Sequence, residues 1–243
     1  MAAARWRALR EELPDLAHLA RHAETAWGPV QRDEALLLHA MVRVLRPRTV
    51  VEIGFLRGDS AFNFLTALDA DARLYSFDVD PAAESIARER FGNDSRFVFR
   101  RRSQADLTAE DVDGREADLV FLDAAHDFEL NRMTFSRLLP IMSPDAILAV
   151  HDTGTIPRRL VQPDAVPSEL AMVGEWWLAH PEVGWIGDER EVESDERAFV
   201  NWVLEEHPDF SQIHLHTTRT FRYGLTLLQR STALPRPPNE AGS

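Results

Sequence analysis

The fold is indicated first by the segment Val50-Val51-Glu52-Ile53-Gly54-Phe55-Leu56-Arg57-Gly58-Asp59-Ser60. Its first residues are apolar and β-branched, which predicts a buried strand over residues 49–53. Gly54 lets the chain turn sharply and lets a ligand approach the backbone. Gly58 opens the next helix, whose free N–H groups can meet a polar ligand group. Two glycines at this spacing also suit an ordinary strand–helix turn, and Leu56 breaks the GxGxxG dinucleotide pattern.

Strands and helices alternate beyond this turn. Further strands are predicted at 73–77, 96–101, 117–122 and 146–150, and helices at 60–68, 81–91 and 130–139. Such alternation indicates βαβ units and a parallel sheet covered on both faces. The last two predicted strands, 211–217 and 222–229, are joined too closely to be parallel. The predicted fold is a doubly wound, Rossmann-like α/β fold with a mostly parallel seven-stranded sheet and an antiparallel last strand.

The same patterns divide the chain into regions. Residues 1–46 are expected to form an N-terminal helical cap, with helices at 2–24 and 31–45. Residues 47–231 form the α/β domain, which carries an insert at about 154–194 on the substrate side and a helix at 195–206. Residues 232–243 contain PRPPNEAGS and are expected to be a disordered tail.

Composition excludes several classes of function. The 243 residues carry a formal net charge of −13 and no cysteine. The acidic excess repels phosphate backbones, so nucleic acid is not expected as a partner. The absence of cysteine excludes disulfides and thiolate sites and suits a reducing cytoplasm. Apolar runs of about six residues are too short to cross a bilayer. The N-terminus carries acids within its first dozen residues and lacks the apolar segment of a secretory signal, so we expect a cytoplasmic protein without a membrane partner.

An acidic residue ends the second predicted strand. Asp78 stands 24 residues after Gly54, at the place where doubly wound nucleoside-binding folds hold the ribose. A carboxylate accepts hydrogen bonds from both hydroxyls of a ribose diol. Asp80 is expected to cap the helix that begins at Pro81, which leaves Asp78 free for the ligand.

The turn and this acid together resemble the class I S-adenosylmethionine (SAM)-dependent methyltransferases. Most similar are the catechol and caffeoyl-coenzyme A type O-methyltransferases and their bacterial natural-product relatives, whose acid-x-Gly-x-x-x-Gly-x-Ser turn is matched by Glu52, Gly54, Gly58 and Ser60. The resemblance spans roughly residues 49–229. It implies a SAM site that holds the methionine part, the ribose and the adenine in turn. The implied cofactor-binding residues are Glu52, Gly54, Phe55, Gly58, Ser60, Asp78, Val79, Ser103, Gln104 and Asp123.

Two further acidic motifs end the fourth and fifth predicted strands. Asp123 ends the fourth strand, with His126 three residues later, and His151-Asp152 ends the fifth. The carboxyl ends of parallel strands converge on the ligand crevice of an open α/β sheet. We therefore expect these four residues to be neighbours.

The resemblance also implies a metal site and a base. In the family, an acid after strand four and an Asp-Asn pair after strand five bind a divalent cation, and a lysine three residues beyond the first acid is the base. Here the predicted metal ligands are Asp123, His151 and Asp152. The two acids suit Mg²⁺, whereas a histidine ligand favours manganese, iron or zinc. Alternatively, His151 points into the sheet and bonds the backbone.

His126 takes the position of the family's lysine. A neutral imidazole can accept the proton of a hydroxyl that attacks the SAM methyl group, so His126 and Asp123 are the predicted catalytic residues. The alternative is that His126 only orients a neighbouring group.

The leading function is transfer of the SAM methyl group to a hydroxyl of a small secondary metabolite. The alternatives are a metal-independent N-methyltransferase, a metal-binding relative with another reaction such as hydroxylation, and a non-catalytic SAM-binding partner subunit. Asp123, His126 and Asp152 together favour an enzyme. Three tryptophans, Trp176, Trp177 and Trp185, are equally consistent with a wall over the acceptor, with core packing and with a homo-oligomer contact.

Overall fold

The computed structural model describes residues 18–19, 30, 32–157, 191–215 and 224–230. In chain order the elements are α1 (Arg32–Leu45), β1 (Thr49–Ile53), α2 (Asp59–Ala67), β2 (Arg73–Asp78), α3 (Pro81–Phe91), β3 (Phe97–Arg101), two 3₁₀ helices (Gln104–Asp106 and Ala109–Val112), β4 (Ala117–Leu122), α4 (Phe128–Leu138), β5 (Met142–Val150), β6 (Thr155–Pro157), β7 (Glu191–Glu193), α5 (Asp195–Glu206), β8 (Phe210–Leu215) and β9 (Leu225–Arg230).

The main sheet has seven strands in the order β3-β2-β1-β4-β5-β9-β8. Strands β1 to β5 are parallel, and β9 runs antiparallel to both of its neighbours. The predicted doubly wound sheet with an antiparallel last strand is confirmed. The strand order reverses between β1 and β4, and a ligand crevice opens at the carboxyl ends of strands at such a switch point.

Apolar side chains cover both faces of the sheet. Val50 faces the helices α1 and α2, where it shares a core with Leu38 and Phe64. Its neighbour Val51 points to the opposite face and shares a core with Phe135 of α4, and Phe199 of α5 lies in the same cluster. Because successive side chains of a strand alternate between faces, β1 is buried at all five positions. This two-sided burial explains why its sequence is apolar apart from Thr49 and Glu52.

Most predicted elements lie within two residues of their predicted ends. The bounds of β1, α3, β4 and α5 are as predicted. Strand β5 begins four residues early, at Met142, because a shift in its pairing with β4 accommodates the polar residues before Ala146. Strands β6 and β7 were not predicted; they form a separate antiparallel pair. The sequence also predicts a helix at 169–180 within the insert. That helix, the three tryptophans and the tail lie outside the described residues, as does all but residues 18–19 of the helix at 2–24. The domain boundaries stay predictions.

None of the helices in the described part of the chain is long and apolar enough to cross a membrane.

The turn after β1 brings two strand ends into contact. Gly54 has a φ of 98°, a backbone conformation that L side chains rarely adopt, and its N–H donates to the carbonyl of Phe77. A Cβ at this position would lie 1.8 Å from the carbonyl oxygen of Asp123. The turn therefore requires glycine both for its conformation and for its closeness to β4.

Replacing Gly54 with alanine is expected to reduce the free energy of unfolding by about 3 kcal/mol or more, because strain and a backbone clash add together. The control is Gly114→Ala, at a φ of 68° with nothing within 4 Å of the added Cβ. The control should lose only about 1 kcal/mol, as expected for conformational strain alone. Urea denaturation of both variants measures the difference; equal losses would contradict the proposed clash.

Candidate functional site

A cleft of about 480 Å³ lies at the carboxyl ends of β1, β2 and β4. Pockets of this size commonly hold small molecules and cofactors. The predicted site residues that line it are Gly54, Phe55, Ser60, Asp78, Val79, Ser103, Gln104, Asp123, His126 and Asp152. Glu52, Gly58 and His151 do not line the cleft. Sequence analysis missed several lining residues, which include Leu56, Arg57 and Arg102.

Asp78 holds the turn after β1 in place. Its Oδ2 accepts hydrogen bonds from the backbone N–H groups of Phe55 (3.1 Å) and Leu56 (2.9 Å), and its Oδ1 accepts one from Asp80 (2.9 Å). The turn thus uses both oxygens of Asp78, which also lines the cleft, and its role in ligand binding stays a prediction. Each carboxylate oxygen has two lone pairs, so Asp78 can still accept a hydroxyl from the cleft. The predicted cap is confirmed, since Asp80 accepts a hydrogen bond from Ala82 N–H.

Gly58 lies in the turn between β1 and α2. Its N–H donates to the carbonyl of Phe55 (2.7 Å), and its φ is 76°. A Cβ here would lie 2.5 Å from the ring of Phe55. Gly58 thus shapes the turn, and a direct ligand contact for it stays a prediction.

Glu52 is fully buried in the middle of the sheet. The hydroxyl of Ser76 on β2 donates a hydrogen bond to its Oε2. Burial raises the pKa of Glu52 from 4.5 to about 8, against the lowering effect of the Ser60 and Ser76 hydroxyls. The acids Asp123 and Asp78 add to the rise. Near neutral pH the Glu52 carboxyl therefore holds a proton in the ligand-free protein, and its predicted contact with methionine stays a prediction.

The 3₁₀ helix after β3 forms another wall of the cleft. Ser103 caps it by accepting a hydrogen bond from Ala105 N–H. The Gln104 side chain donates to Asn131 Oδ1 (3.2 Å) and to the Thr134 hydroxyl (2.8 Å) on α4. Gln104 therefore joins β3 to α4 and presents a fixed polar surface to the cleft.

His151 lies among three carboxylates. Its Nδ1 is 3.1 Å from Asp123 Oδ1 and 3.4 Å from Asp152 Oδ1, and its Nε2 is 2.8 Å from Glu34 Oε2. The ring is 1% exposed. The alternative that His151 bonds the backbone is wrong, because both ring nitrogens face carboxylates.

These acids control the charge of His151. Burial alone would lower the pKa of its imidazole, but the carboxylates of Asp123, Glu34 and Asp152 hold that pKa well above 6.5. Ionised carboxylates can only accept hydrogen bonds, so their closeness to Nδ1 favours a cation between them. That cation is either a proton on Nδ1 or a metal ion.

The spacing of the side chains around His151 Nδ1 fits a divalent metal ion. Donor atoms of Asp123, His151 and Asp152 all lie within 4.8 Å of one another. Around an ion with bonds of about 2.1 Å, neighbouring ligand atoms stand about 3.0–3.4 Å apart. The separations at His151 Nδ1, 3.1 and 3.4 Å, agree with that spacing, and the 3.1 Å separation also suits a hydrogen bond to Asp123.

His126 lies at the cleft wall beside the same acids. Its Nδ1 is hydrogen-bonded to Glu196 Oε1, and its Nε2 is 3.7 Å from Asp152 Oδ2. Glu196 is 5% exposed and belongs to the first turn of α5. The expectation that Asp123, His126, His151 and Asp152 are neighbours is confirmed.

Sequence analysis missed Glu34 and Glu196, the acids that contact the two histidines. A signal was present in the helical pattern of each segment. Glu34 shares the buried stripe of α1 with Leu38 and Val42, and Glu196 shares that of α5 with Val200 and Val203. An acid on an otherwise apolar stripe needs a buried partner, so each position indicated a polar contact.

Comparisons with known proteins agree with this architecture. Residues 51–153 match the family model described as a methyltransferase domain. The chain is 26% identical to tapetum-specific methyltransferase 1 of Arabidopsis thaliana over 160 residues, which cover 63% of this chain and 67% of that protein. It is 41% identical to ribosomal RNA small subunit methyltransferase H of Thioalkalivibrio sulfidiphilus over 78 residues, 31% of this chain and only 25% of that protein.

Solved structures resemble the chain over nearly its whole length. An O-methyltransferase from Bacillus cereus, in complex with SAH, has a TM-score of 0.58 at 16% identity and covers 93% of this chain and 97% of its own. The O-methyltransferase TomG from Streptomyces achromogenes, in complex with SAM, has a TM-score of 0.58 at 20% identity and covers 95% of this chain and 99% of its own. At these identities the likeness shows the fold.

The pKa of Glu52 predicts how stability depends on pH. Because the folded state keeps this proton up to about pH 8 and the unfolded chain releases it near 4.5, the stabilising contribution is complete at low pH. It is lost as pH rises toward 8. Replacing Glu52 with glutamine should flatten this slope and raise the free energy of unfolding at pH 8 by roughly 4 kcal/mol. Glu89→Gln, at an exposed position of α3, is the control. Equal slopes for Glu52→Gln and wild type in urea titrations from pH 5 to 8 would refute the raised pKa.

Proposed function

We propose that the chain is a class I SAM-dependent methyltransferase that transfers the SAM methyl group to a hydroxyl oxygen of a small metabolite. One observation carries this proposal. His126, in contact with the buried Glu196, lies at the same cleft as Asp123 and Asp152, and Asp78 and Gln104 line that cleft too. A proton acceptor, acidic groups and a nucleoside-type pocket are thus combined in one cavity.

The cleft residues suit SAM as the methyl donor. Asp78 ends β2, and its Oδ1, which accepts one backbone hydrogen bond, can still accept a ribose hydroxyl. We assign adenine to the wall formed by Ser103 and Gln104, and the methionine part to the turn from Gly54 to Ser60. When bound, SAM supplies an electrophilic methyl group on a sulfonium ion.

His126 is the proposed base. When Nδ1 donates its proton to Glu196, Nε2 carries the lone pair that can accept a proton from the acceptor hydroxyl. The hydroxyl oxygen forms a bond to the methyl carbon while the bond between sulfur and that carbon breaks. The products are a methyl ether, the thioether S-adenosylhomocysteine (SAH) and a proton on His126.

We also propose that Asp123, His151 and Asp152 hold a divalent cation. Bound there, the ion would orient the acceptor hydroxyl and lower its pKa. The ligand-atom spacing at His151 supports this assignment, and a histidine ligand favours Mn²⁺, Fe²⁺ or Zn²⁺ over Mg²⁺. Without the ion, the acidic cluster suits a cationic acceptor instead, so N-methylation of an amine is the second candidate function.

The acceptor class and the setting are further parts of the proposal. The likeness to TomG, which is involved in tomaymycin synthesis, supports a natural-product acceptor. The net charge of −13 weighs against an RNA substrate despite the local likeness to a ribosomal RNA methyltransferase. A cysteine-free composition suits the cytoplasm. Self-association stays a prediction.

Asp78→Asn should weaken SAM binding about 10- to 100-fold, because it removes a charged acceptor from the ribose and loosens the turn at Phe55. Asp80→Asn changes a neighbouring acid that caps α3 and should leave the affinity for SAM nearly unchanged. Isothermal titration calorimetry measures both. An unchanged dissociation constant in Asp78→Asn would remove the ribose assignment.

His126→Ala should reduce turnover by about 10²- to 10⁴-fold, since the proton acceptor is lost, while the affinity for SAM stays as in wild type. Turnover is measured as SAH formed with a panel of phenolic and aliphatic hydroxyl acceptors, with amines as the comparison. Near-normal turnover in the variant would exclude His126 as the base. Turnover of amines alone would favour the second candidate function.

A further inference from the structure

We infer that Glu34, a buried acid of α1, is a positioning residue that determines which nitrogen of His151 faces the cation site. The inference rests on the proposed cation site of Asp123, His151 and Asp152 and adds a residue to it. Glu34 lies outside residues 51–153, the segment that matches the methyltransferase domain, so the N-terminal helix would contribute directly to the chemistry of the site.

Both oxygens of Glu34 are held by separate parts of the fold. Oε2 lies 2.8 Å from His151 Nε2 at the end of β5, and Oε1 accepts a hydrogen bond from Gly224 N–H at the start of β9 (3.2 Å). The side chain is 3% exposed. A buried carboxylate with two fixed oxygens has a defined orientation, so His151 meets an acceptor at a fixed place.

This contact selects the tautomer of His151. A carboxylate can only accept, so Nε2 must carry a proton to bond Glu34. In the neutral imidazole the lone pair then lies on Nδ1, the nitrogen 3.1 Å from Asp123 and 3.4 Å from Asp152. A histidine that ligates a metal uses such a lone pair, and its other N–H usually donates to a carboxylate or carbonyl. When a cation displaces the proton from Nδ1, Glu34 therefore keeps the remaining ring proton on Nε2.

The opposite tautomer would close the site. With the proton on Nδ1, that nitrogen would donate to Asp123 directly and would have no lone pair for an ion. Burial strengthens the preference for one tautomer, because no bulk water reaches the 1%-exposed ring to replace a missing hydrogen-bond partner. The identity of residue 34 thus decides between an open and a closed cation site.

The packing of α1 sets the position of Glu34. Ala35 and Leu38 are buried on the same helix, and the side-chain amide of Asn63 on α2 donates to the carbonyl of Ala35 (3.0 Å). These contacts fix the rotation of α1 about its axis. They direct position 34 toward the end of β5 and leave Asp33 more exposed.

Glu34→Gln is the decisive variant because it preserves the size of the side chain. Its amide oxygen can still accept from Gly224, while its NH₂ group would donate to His151 Nε2 and move the ring proton to Nδ1. Binding of Mn²⁺ to the full chain is followed by the loss of the electron paramagnetic resonance signal of free Mn²⁺. We expect the dissociation constant to rise about 10- to 100-fold, as for other carboxylates that contact a ligating histidine.

Asp33→Asn is the matched control, since it removes the same charge one residue away. It should change Mn²⁺ affinity less than about twofold, because Asp33 is more exposed than Glu34 and the asparagine oxygen can still accept the hydrogen bond from Glu34 N–H. Thermal unfolding of both variants separates a structural effect from a positioning effect. A purely structural Glu34 would lower the unfolding temperature and leave the affinity of the folded protein for Mn²⁺ unchanged, and that result would overturn the inference.

A second measurement is independent of affinity. Two-bond ¹H–¹⁵N spectra of histidine-labelled protein loaded with Zn²⁺ distinguish the two ring tautomers. Wild type should show His151 protonated at Nε2, and Glu34→Gln should show it protonated at Nδ1. If Glu34→Gln does not fold, the wild-type spectrum still decides: a proton on Nδ1 of His151 would overturn the inference.

The results separate this inference from the proposed function. Tight Mn²⁺ binding in both wild type and Glu34→Gln overturns the role of Glu34 and leaves the cation site intact. No Mn²⁺ binding by wild type overturns the cation site together with the role of Glu34. Methyl transfer itself is judged separately, from SAM affinity and SAH formation.

Discussion

The contact between the ends of β1 and β4 is the constraint on which the site depends. Gly54 lies so close to the carbonyl of Asp123 that a single added carbon would not fit. Backbone hydrogen bonds continue past the strand ends, from Asp123 N–H to Ile53 and from His151 N–H to Leu122. These hydrogen bonds place the residue that follows each strand beside the residue that follows the neighbouring strand. The cleft and the acidic cluster are both consequences of that alignment.

Two carboxylate–imidazole pairs join the helices α1 and α5 to the carboxyl ends of the sheet strands. Glu34 on α1 and Glu196 on α5 each contact a histidine that follows a strand of the sheet. Isolated buried carboxylates would be costly, and each is compensated by an imidazole within hydrogen-bond reach. The same pairs that balance the charge also orient the two rings. Stability and chemistry therefore depend on one set of contacts.

The sequence predicted the features that depend on local pattern. The alternation of strands and helices, and the acids Asp78, Asp123 and Asp152 at strand ends, follow from periodicity and from the position of ligand sites in open α/β sheets. Glu34 and Glu196 were not predicted, because the residues that a helix face contacts are known only once the helix is packed against the sheet. The backbone contacts of Asp78 escaped for a similar reason, since they depend on the path of the turn beside β2.

Glu34 and His151 are 117 residues apart in the chain and 2.8 Å apart in the fold. This distance has an evolutionary consequence. If position 151 changed to aspartate, the carboxylate at 34 would face another carboxylate in a buried space, and the two acids would repel. A lineage can therefore exchange one of these residues only together with the other. Among related chains, the identities of positions 34 and 151 should vary as a pair, and a chimera that joins an N-terminal helix to a foreign sheet would inherit a mismatch.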